Sequence, residues 1–206
     1  MSELLKVVRE RRSANKFIEG IDIPKKELDQ IFEELTSAPS AFNLQHANYY
    51  VVKNRELKEA VYEAAFKQYK IRSASAVIVV TGDKAAYQHA ASIYEGSKLL
   101  GILDEKEFQS MINIIYGLYE GWGEGFQHDE AIRNASLSAM LFMLLAKEKG
   151  WDTCPMIYFD KDKIKELLHM PESEVPAIMI TIGKSDPDSI KLRGARKATS
   201  EFVKYF

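Results

Sequence analysis

Ala76-Val77-Ile78-Val79-Val80 is five apolar residues in a row with no polar position between them. A strand with one wet face alternates polar and apolar side chains, whereas an unbroken apolar run belongs to a strand covered on both faces. The stretch therefore reads as the central strand of a sheet that carries helices on its faces. Upstream, Tyr49-Tyr50-Val51-Val52 is aromatic and β-branched, and Asn54 is placed to cap a helix with apolar positions at Leu57, Val61, Ala64, Ala65 and Phe66. Downstream, Ala177-Ile178-Met179-Ile180-Thr181-Ile182 is the last clear strand, ended by Gly183. Trp151 to Phe159 is a helix-to-strand junction in which Pro155 is expected to prevent regular pairing at its own N–H position. Helices and strands neither alternate strictly nor segregate, so the expected fold is α+β: a mixed central sheet covered by helices, not a doubly wound nucleotide fold.

The helical signals fill in the cover. Leu4, Leu5, Val7 and Val8 form one apolar face of an opening helix. Pro24 sits where a first helical residue would be, and Leu28, Ile31, Phe32 and Leu35 carry that helix to about Thr36. A looser pattern, an excursion at about 84–126, leaves the core, with a capping box at Asp104 to Glu107. Gly121-Trp122-Gly123-Glu124-Gly125-Phe126 reads as a mobile connection, because no strand precedes it and its spacing is not G-x-G-x-x-G. Between Asp129 and Lys149 lies a helix whose run Leu137 to Ala146 is apolar almost all round, and Gly150 stops it. That run is too short to span a membrane. It is either the centre of a monomer core or the seam of a homodimer.

The 206 residues suit one domain, 1–206. A net charge of −2 argues against nucleic-acid binding, and the single Cys154 excludes an intramolecular disulfide and any cysteine-rich metal site. His46, His89, His128 and His169 show no ligand spacing, so no metal is expected. The first residues form no signal peptide, and with one cysteine a reducing cytoplasm is the expected location. Serine nucleophile elbows and the G-x-x-x-x-G-K phosphate loop are both missing.

What remains is polar and basic. Arg11-Arg12-Ser13-Ala14-Asn15-Lys16-Phe17 brings forked guanidinium donors next to a hydroxyl, a set that suits a phosphate; equally, cations at a helix C-terminus answer the macrodipole without any ligand. Pro39 opens a polar segment, Ser37-Ala38-Pro39-Ser40-Ala41-Phe42-Asn43-Leu44-Gln45, which is either a second site or an ordinary helix-to-strand loop. Near the end comes a second basic cluster, Lys191-Leu192-Arg193-Gly194-Ala195-Arg196-Lys197.

Taken in order, R-R-S, A-P-S-x-x-N-x-Q and the C-terminal R-x-x-R resemble the nitroreductase-like flavoprotein family over nearly the whole chain. The resemblance implies FMN as cofactor, NADH or NADPH as donor, a small nitro compound, quinone or similar acceptor, and an interlocked homodimer with the apolar helix as its seam. It places Arg11, Arg12, Ser13 and Asn15 around the phosphate and ribityl chain, with Arg193 and Arg196 on the same phosphate. Pro39, Ser40, Asn43 and Gln45 correspond to a loop that reaches the flavin from the partner subunit. Pro155, Met156, Ile157 and Tyr158 correspond to the segment facing the ring, and Gln68 and Lys70 to its pyrimidine edge. No side chain need act as acid or base, and the two substrates would use one pocket in turn. A flavin reductase and a non-catalytic flavin-binding protein are the alternatives. The chain departs from the family pattern at Asn15, at His46-Ala47 after Gln45, and at Ile157-Tyr158, near the face where acceptors would stack.

Overall fold

The computed structural model describes residues 2–206. Four strands form its sheet in the order β1-β2-β4-β3, with β1 Ala47–Val52, β2 Ala76–Asp83, β3 Asp152–Met156 and β4 Glu174–Gly183. The run that decides the fold, β2, is an inner strand buried from Ala76 through Gly82. Alternate side chains enter two cores. Ile78 and Val80 join Ile180, Ile182, Phe142 and Met143 on one face, while Val77 and Val79 join Ile71, Cys154, Met156 and Met179 on the other.

The α+β reading holds, but every ladder is antiparallel. The parallel component of a mixed sheet is reduced to the isolated bridge Ser13↔Thr153, which lays the basic N-terminal segment along the outer side of β3. Pro155 has no N–H to give, yet it stays in register opposite Ile180. β3 is an edge strand, where a proline with no N–H to give is tolerated.

The helices are α1 Glu3–Glu10, α2 Lys25–Leu35, α3 Arg55–Ala64, α4 Tyr69–Ser73, α5 Ala90–Leu99, α6 Glu105–Glu148, α7 Lys161–Leu167 and α8 Thr199–Phe202. Local chemistry sets several ends. Asn54 accepts from the Leu57 amide at 3.0 Å, and at the start of α6 Glu107 N donates to Asp104 Oδ1 at 2.8 Å while Asp104 N donates to Glu107 Oε2 at 2.9 Å. Pro24 is the extended cap before α2 and not its first residue.

The glycine-rich stretch 121–126 is helical and not a connection. Only Gly123 leaves the helix, with φ 73° and ψ −168°, and there α6 kinks. Before the kink, Ile115 and Tyr119 build a small core with Leu44, Ala86, Tyr87 and Ala90. Beyond it, Ala135, Ala139, Phe142, Met143 and Ala146 lie on the sheet. Gly82 permits this approach, since a Cβ there would sit 2.2 Å from the Ala131 carbonyl oxygen. The far side of α6 stays open in the single chain, with Leu137 48% and Met140 42% exposed. Among the described residues, no helix is long and apolar enough to cross a membrane.

Candidate functional site

The chain runs from the C-terminus of α1 straight onto the edge of the sheet. Ala14 N donates to Thr153 O at 2.9 Å, Ile18 N to Lys184 O at 2.9 Å, and Asp186 N to Lys16 O at 3.0 Å, so residues 14–18 are clamped between β3 and the segment after β4. Asn15 Nδ2 donates to Ser189 O at 3.1 Å and Arg12 Nη1 to Lys191 O at 3.3 Å. The C-terminal segment is thereby carried back to the N-terminal one.

Opposite ends of the chain do converge. Arg193 Nη2 donates to the carbonyls of Arg9 and Arg11, the latter at 3.1 Å. Those are acceptors at the C-terminus of α1, where a cation is favoured by the macrodipole. Arg196 Nη1 donates to Gly194 O at 3.1 Å and Ala195 O at 2.9 Å in its own loop. The half-buried Arg11 guanidinium lies below its ordinary pKa, first through burial and then through repulsion by Arg193 and Arg196, with Cys154 acting in the opposite sense. Two guanidinium groups close enough to repel Arg11 make with it a cationic cluster that suits a dianion.

Arg12 and Ser13 belong to a different recess. With Asn15, Glu10, Lys147 and Asp152 they line a cavity of about 120 Å³, in which Lys147 Nζ pairs with Asp152 Oδ1 at 3.0 Å. Of the four N-terminal residues expected at the phosphate, Arg12, Ser13 and Asn15 line this cavity and Arg11 does not.

On the other side of β3, α4 supplies the next polar groups. Gln68, at the α4 cap, donates from Nε2 to Tyr158 O at 2.6 Å, which ties down the exit of β3. Lys70 Nζ lies 3.2 Å from Cys154 Sγ. Pro155 is partly exposed and Ile157 and Tyr158 are open, but the Met156 side chain lies in the core with Met179, so only its backbone can face a ligand. Tyr158 packs against Phe66, ring centroids 4.4 Å apart.

The 39–45 loop is built under strain. Phe42, Asn43 and Gln45 all have φ near +50°, a conformation costing a residue with a Cβ about 1–2 kcal/mol. Buried Asn134 of α6 holds the turn by accepting from Ala41 N at 2.7 Å, Tyr94 Oη donates to Phe42 O at 2.9 Å, and Ser40 Oγ accepts from Gln45 N at 3.0 Å. Pro39, Ser40 and Gln45 line a cavity of about 210 Å³ with Phe32, Tyr49 and Asn134, and Asn43 is exposed at the tip of the loop. The cavity at the loop is lined by none of Arg11, Arg193 and Arg196.

Two groups at this loop carry no motif. Asn134 looks like one polar position in an apolar helix, and only its partner reveals its role. His46 is buried at the foot of the loop, with Nε2 3.0 Å from Tyr119 Oη and Nδ1 unpartnered. Burial lowers its pKa to about 4 and raises that of Tyr119 to about 12. Among the described residues, no group of three or more His, Cys, Asp or Glu side chains is placed to hold a metal ion.

Fold and site together define an α+β class with both chain ends gathered into a cationic row at the outer strand of an antiparallel sheet. The chain belongs to the nitroreductase family, a family of oxidoreductases, whose model matches residues 8–184. It is 53% identical over 205 residues to the Bacillus subtilis (strain 168) protein named "Putative NAD(P)H nitroreductase MhqN", covering 100% of both chains. The crystal structure of the "putative nitroreductase ydfN" from Bacillus subtilis superposes with a TM-score of 0.97 at 51% identity over 99% of each chain. That of a "putative nitroreductase in complex with FMN" from Exiguobacterium sibiricum gives 0.89 at 29% identity over 100% of this chain and 98% of that one.

Proposed function

We propose that the protein is an FMN-dependent NAD(P)H oxidoreductase that acts on nitro compounds, quinones or similar small acceptors and works as a homodimer. The observation that carries the cofactor is the convergence of Arg11, Arg193 and Arg196 from opposite ends of the chain. Like charges gathered at a partly buried guanidinium are stabilised by a doubly charged group, and a flavin phosphate supplies one. The FMN named in the Exiguobacterium structure and the NAD(P)H in the name of the Bacillus relative support the same reading.

When bound, FMN supplies the chemistry, accepting hydride from the nicotinamide and passing electrons to the acceptor. The residues have binding and orienting tasks. Arg11, Arg193 and Arg196 hold the phosphate, and the Pro155–Ile157 backbone flanks the ring. Lys70 places a fixed positive charge at its electron-rich edge, an electrostatic role that needs no proton transfer.

Support for the homodimer comes from uncovered apolar surface in three places. α1 buries none of its residues and exposes Leu4, Leu5 and Val8; α6 exposes Leu137 and Met140; the C-terminal segment exposes Leu192, Phe202, Tyr205 and Phe206. The 39–45 loop, whose cavity is lined by none of Arg11, Arg193 and Arg196, would serve the site of the second copy.

The deciding experiment is an absorbance spectrum of the purified protein followed by anaerobic addition of NADH or NADPH. A flavin spectrum that bleaches on a catalytic timescale, with parallel double-reciprocal lines for donor and acceptor, is the expected result. A flavin that stays oxidised would point to a binding protein without turnover, and intersecting lines would remove the shared-pocket scheme.

A further inference from the structure

Lys70 and Cys154 meet where α4 packs beside β3. The ammonium nitrogen is 3.2 Å from a sulfur that is 2% exposed and belongs to the only cysteine in the chain. The rest of the sulfur's surroundings explain no cation: Met156 and Met179 share its face of the sheet, and the Pro155 carbonyl is 3.8 Å away. A lysine on a five-residue surface helix ordinarily extends into water, where its rotamers are free and its charge is hydrated. Here it folds back onto a thiol. Arg11 also feels the sulfur, as the last of the influences on its guanidinium. Its position in the sheet is firm, since it pairs with Thr181 of β4 and its carbonyl accepts from Thr181 Oγ1 at 3.4 Å.

We propose that Cys154 is a positioning residue, whose sulfur fixes the Lys70 ammonium next to the partly exposed Pro155–Ile157 segment so that the charge is already in place where the reduced cofactor is anionic. This rests on the FMN reading above. The sulfur works through the lysine and need not touch the cofactor. A serine at the same Cα keeps a polar acceptor but reaches less far, and an alanine removes the acceptor altogether.

The test compares wild type, Cys154→Ala, Cys154→Ser, Lys70→Met and the Cys154→Ala/Lys70→Met double variant. It measures the midpoint potential of bound FMN by spectroelectrochemical titration, FMN affinity by fluorescence quenching, and Tm. Losing the ammonium should weaken binding of reduced relative to oxidised FMN by about tenfold or more, which for a two-electron couple lowers the potential by about 30 mV per tenfold. Cys154→Ala should move it the same way by about two- to tenfold, Cys154→Ser by less, and the double variant no further than Lys70→Met alone.

A packing role for the sulfur would lower Tm without moving the potential, and that result overturns the proposal. So does a double variant in which the two shifts add. If Lys70→Met leaves the potential unchanged while FMN still binds, the positioning idea falls and the cofactor reading stands. If the wild type binds no FMN, the cofactor reading itself fails. A cofactor-free readout keeps the two apart: acetylation of Lys70 by acetic anhydride, followed by mass spectrometry, should run faster in Cys154→Ala than in wild type, and equal rates would overturn the positioning contact.

Discussion

Arg196→Ala separates a phosphate site from a merely well-capped helix. Arg196 is exposed and donates only to carbonyls of its own loop at 2.9 and 3.1 Å, so its removal should change stability by no more than about 0.5 kcal/mol, as at most surface positions. It also repels Arg11. In the cofactor-free protein its loss should therefore leave Tm unchanged or slightly raised. With the phosphate in place the sign reverses, because a charge-assisted hydrogen bond is lost, worth about 1.5–3 kcal/mol or roughly 10- to 150-fold in affinity. Riboflavin lacks the phosphate and should bind nearly as before. The assay is a fluorescence-quenching titration with both ligands at one ionic strength, since salt screens these contacts. Arg193 is the wrong residue for this purpose, because it also holds carbonyls at the end of α1 and its loss would disturb the fold. Equal weakening of FMN and riboflavin by Arg196→Ala would refute the phosphate assignment and leave the arginines a structural role.

His46 should make stability fall in acid. Its pKa is about 4 in the fold against an ordinary 6.5, so its contribution is present above pH 6.5 and is lost as pH falls toward 4, about 2 kcal/mol between pH 7 and pH 5. Urea unfolding at both pH values should show this difference shrinking in His46→Asn, and an unchanged difference would show that other groups carry it. Gly82→Ala should lower stability by about 1–3 kcal/mol, because its Cβ would meet the α6 backbone at Ala131; an unchanged Tm would mean that α6 does not lie so close. Light scattering should report twice the chain mass at micromolar concentration and half that for Leu137→Asp, since Leu137 lies on the open side of α6. A wild-type monomer that keeps stoichiometric FMN would end the interfacial model.

Much of the fold was legible because its strongest signals are local or two-sided. Ala76 to Val80 has no polar face, so no register could leave it wet, and Asn54 and Asp104 cap through bonds three residues long. Sequence reasoning failed where tertiary contacts overrode local preference. The glycines at 121, 123 and 125 argue against helix, yet Trp122 and Tyr119 both pack on Phe126 across the kink and hold the turns on either side together. α4 is too short to show a period, and the sequence does not say that the strand holding Pro155 is the edge.

The site was legible as a set of residues but not as an arrangement. Basic clusters near positions 11 and 193 stand out by composition, and their approach to one another follows from how residues 14–18 and 184–191 are laced together beyond β3 and β4. Nothing in the sequence says that Arg12 lines a recess that Arg11 does not, that Met156 points inward, or that Asn134 in an apolar helix holds the 39–45 loop in its strained turn. That loop has a physical consequence for assembly. Three left-handed residues are held at a cost, and the cavity beside them is lined by none of Arg11, Arg193 and Arg196. A two-fold axis that covers α1 and the open side of α6 could bring the loop of one copy to the row of the other, so that each pocket is completed by the partner in the proposed homodimer. Strain without a ligand in one chain would then serve two identical sites, and apolar side chains on α1, α6 and the C-terminal segment would lose their exposure in the same step.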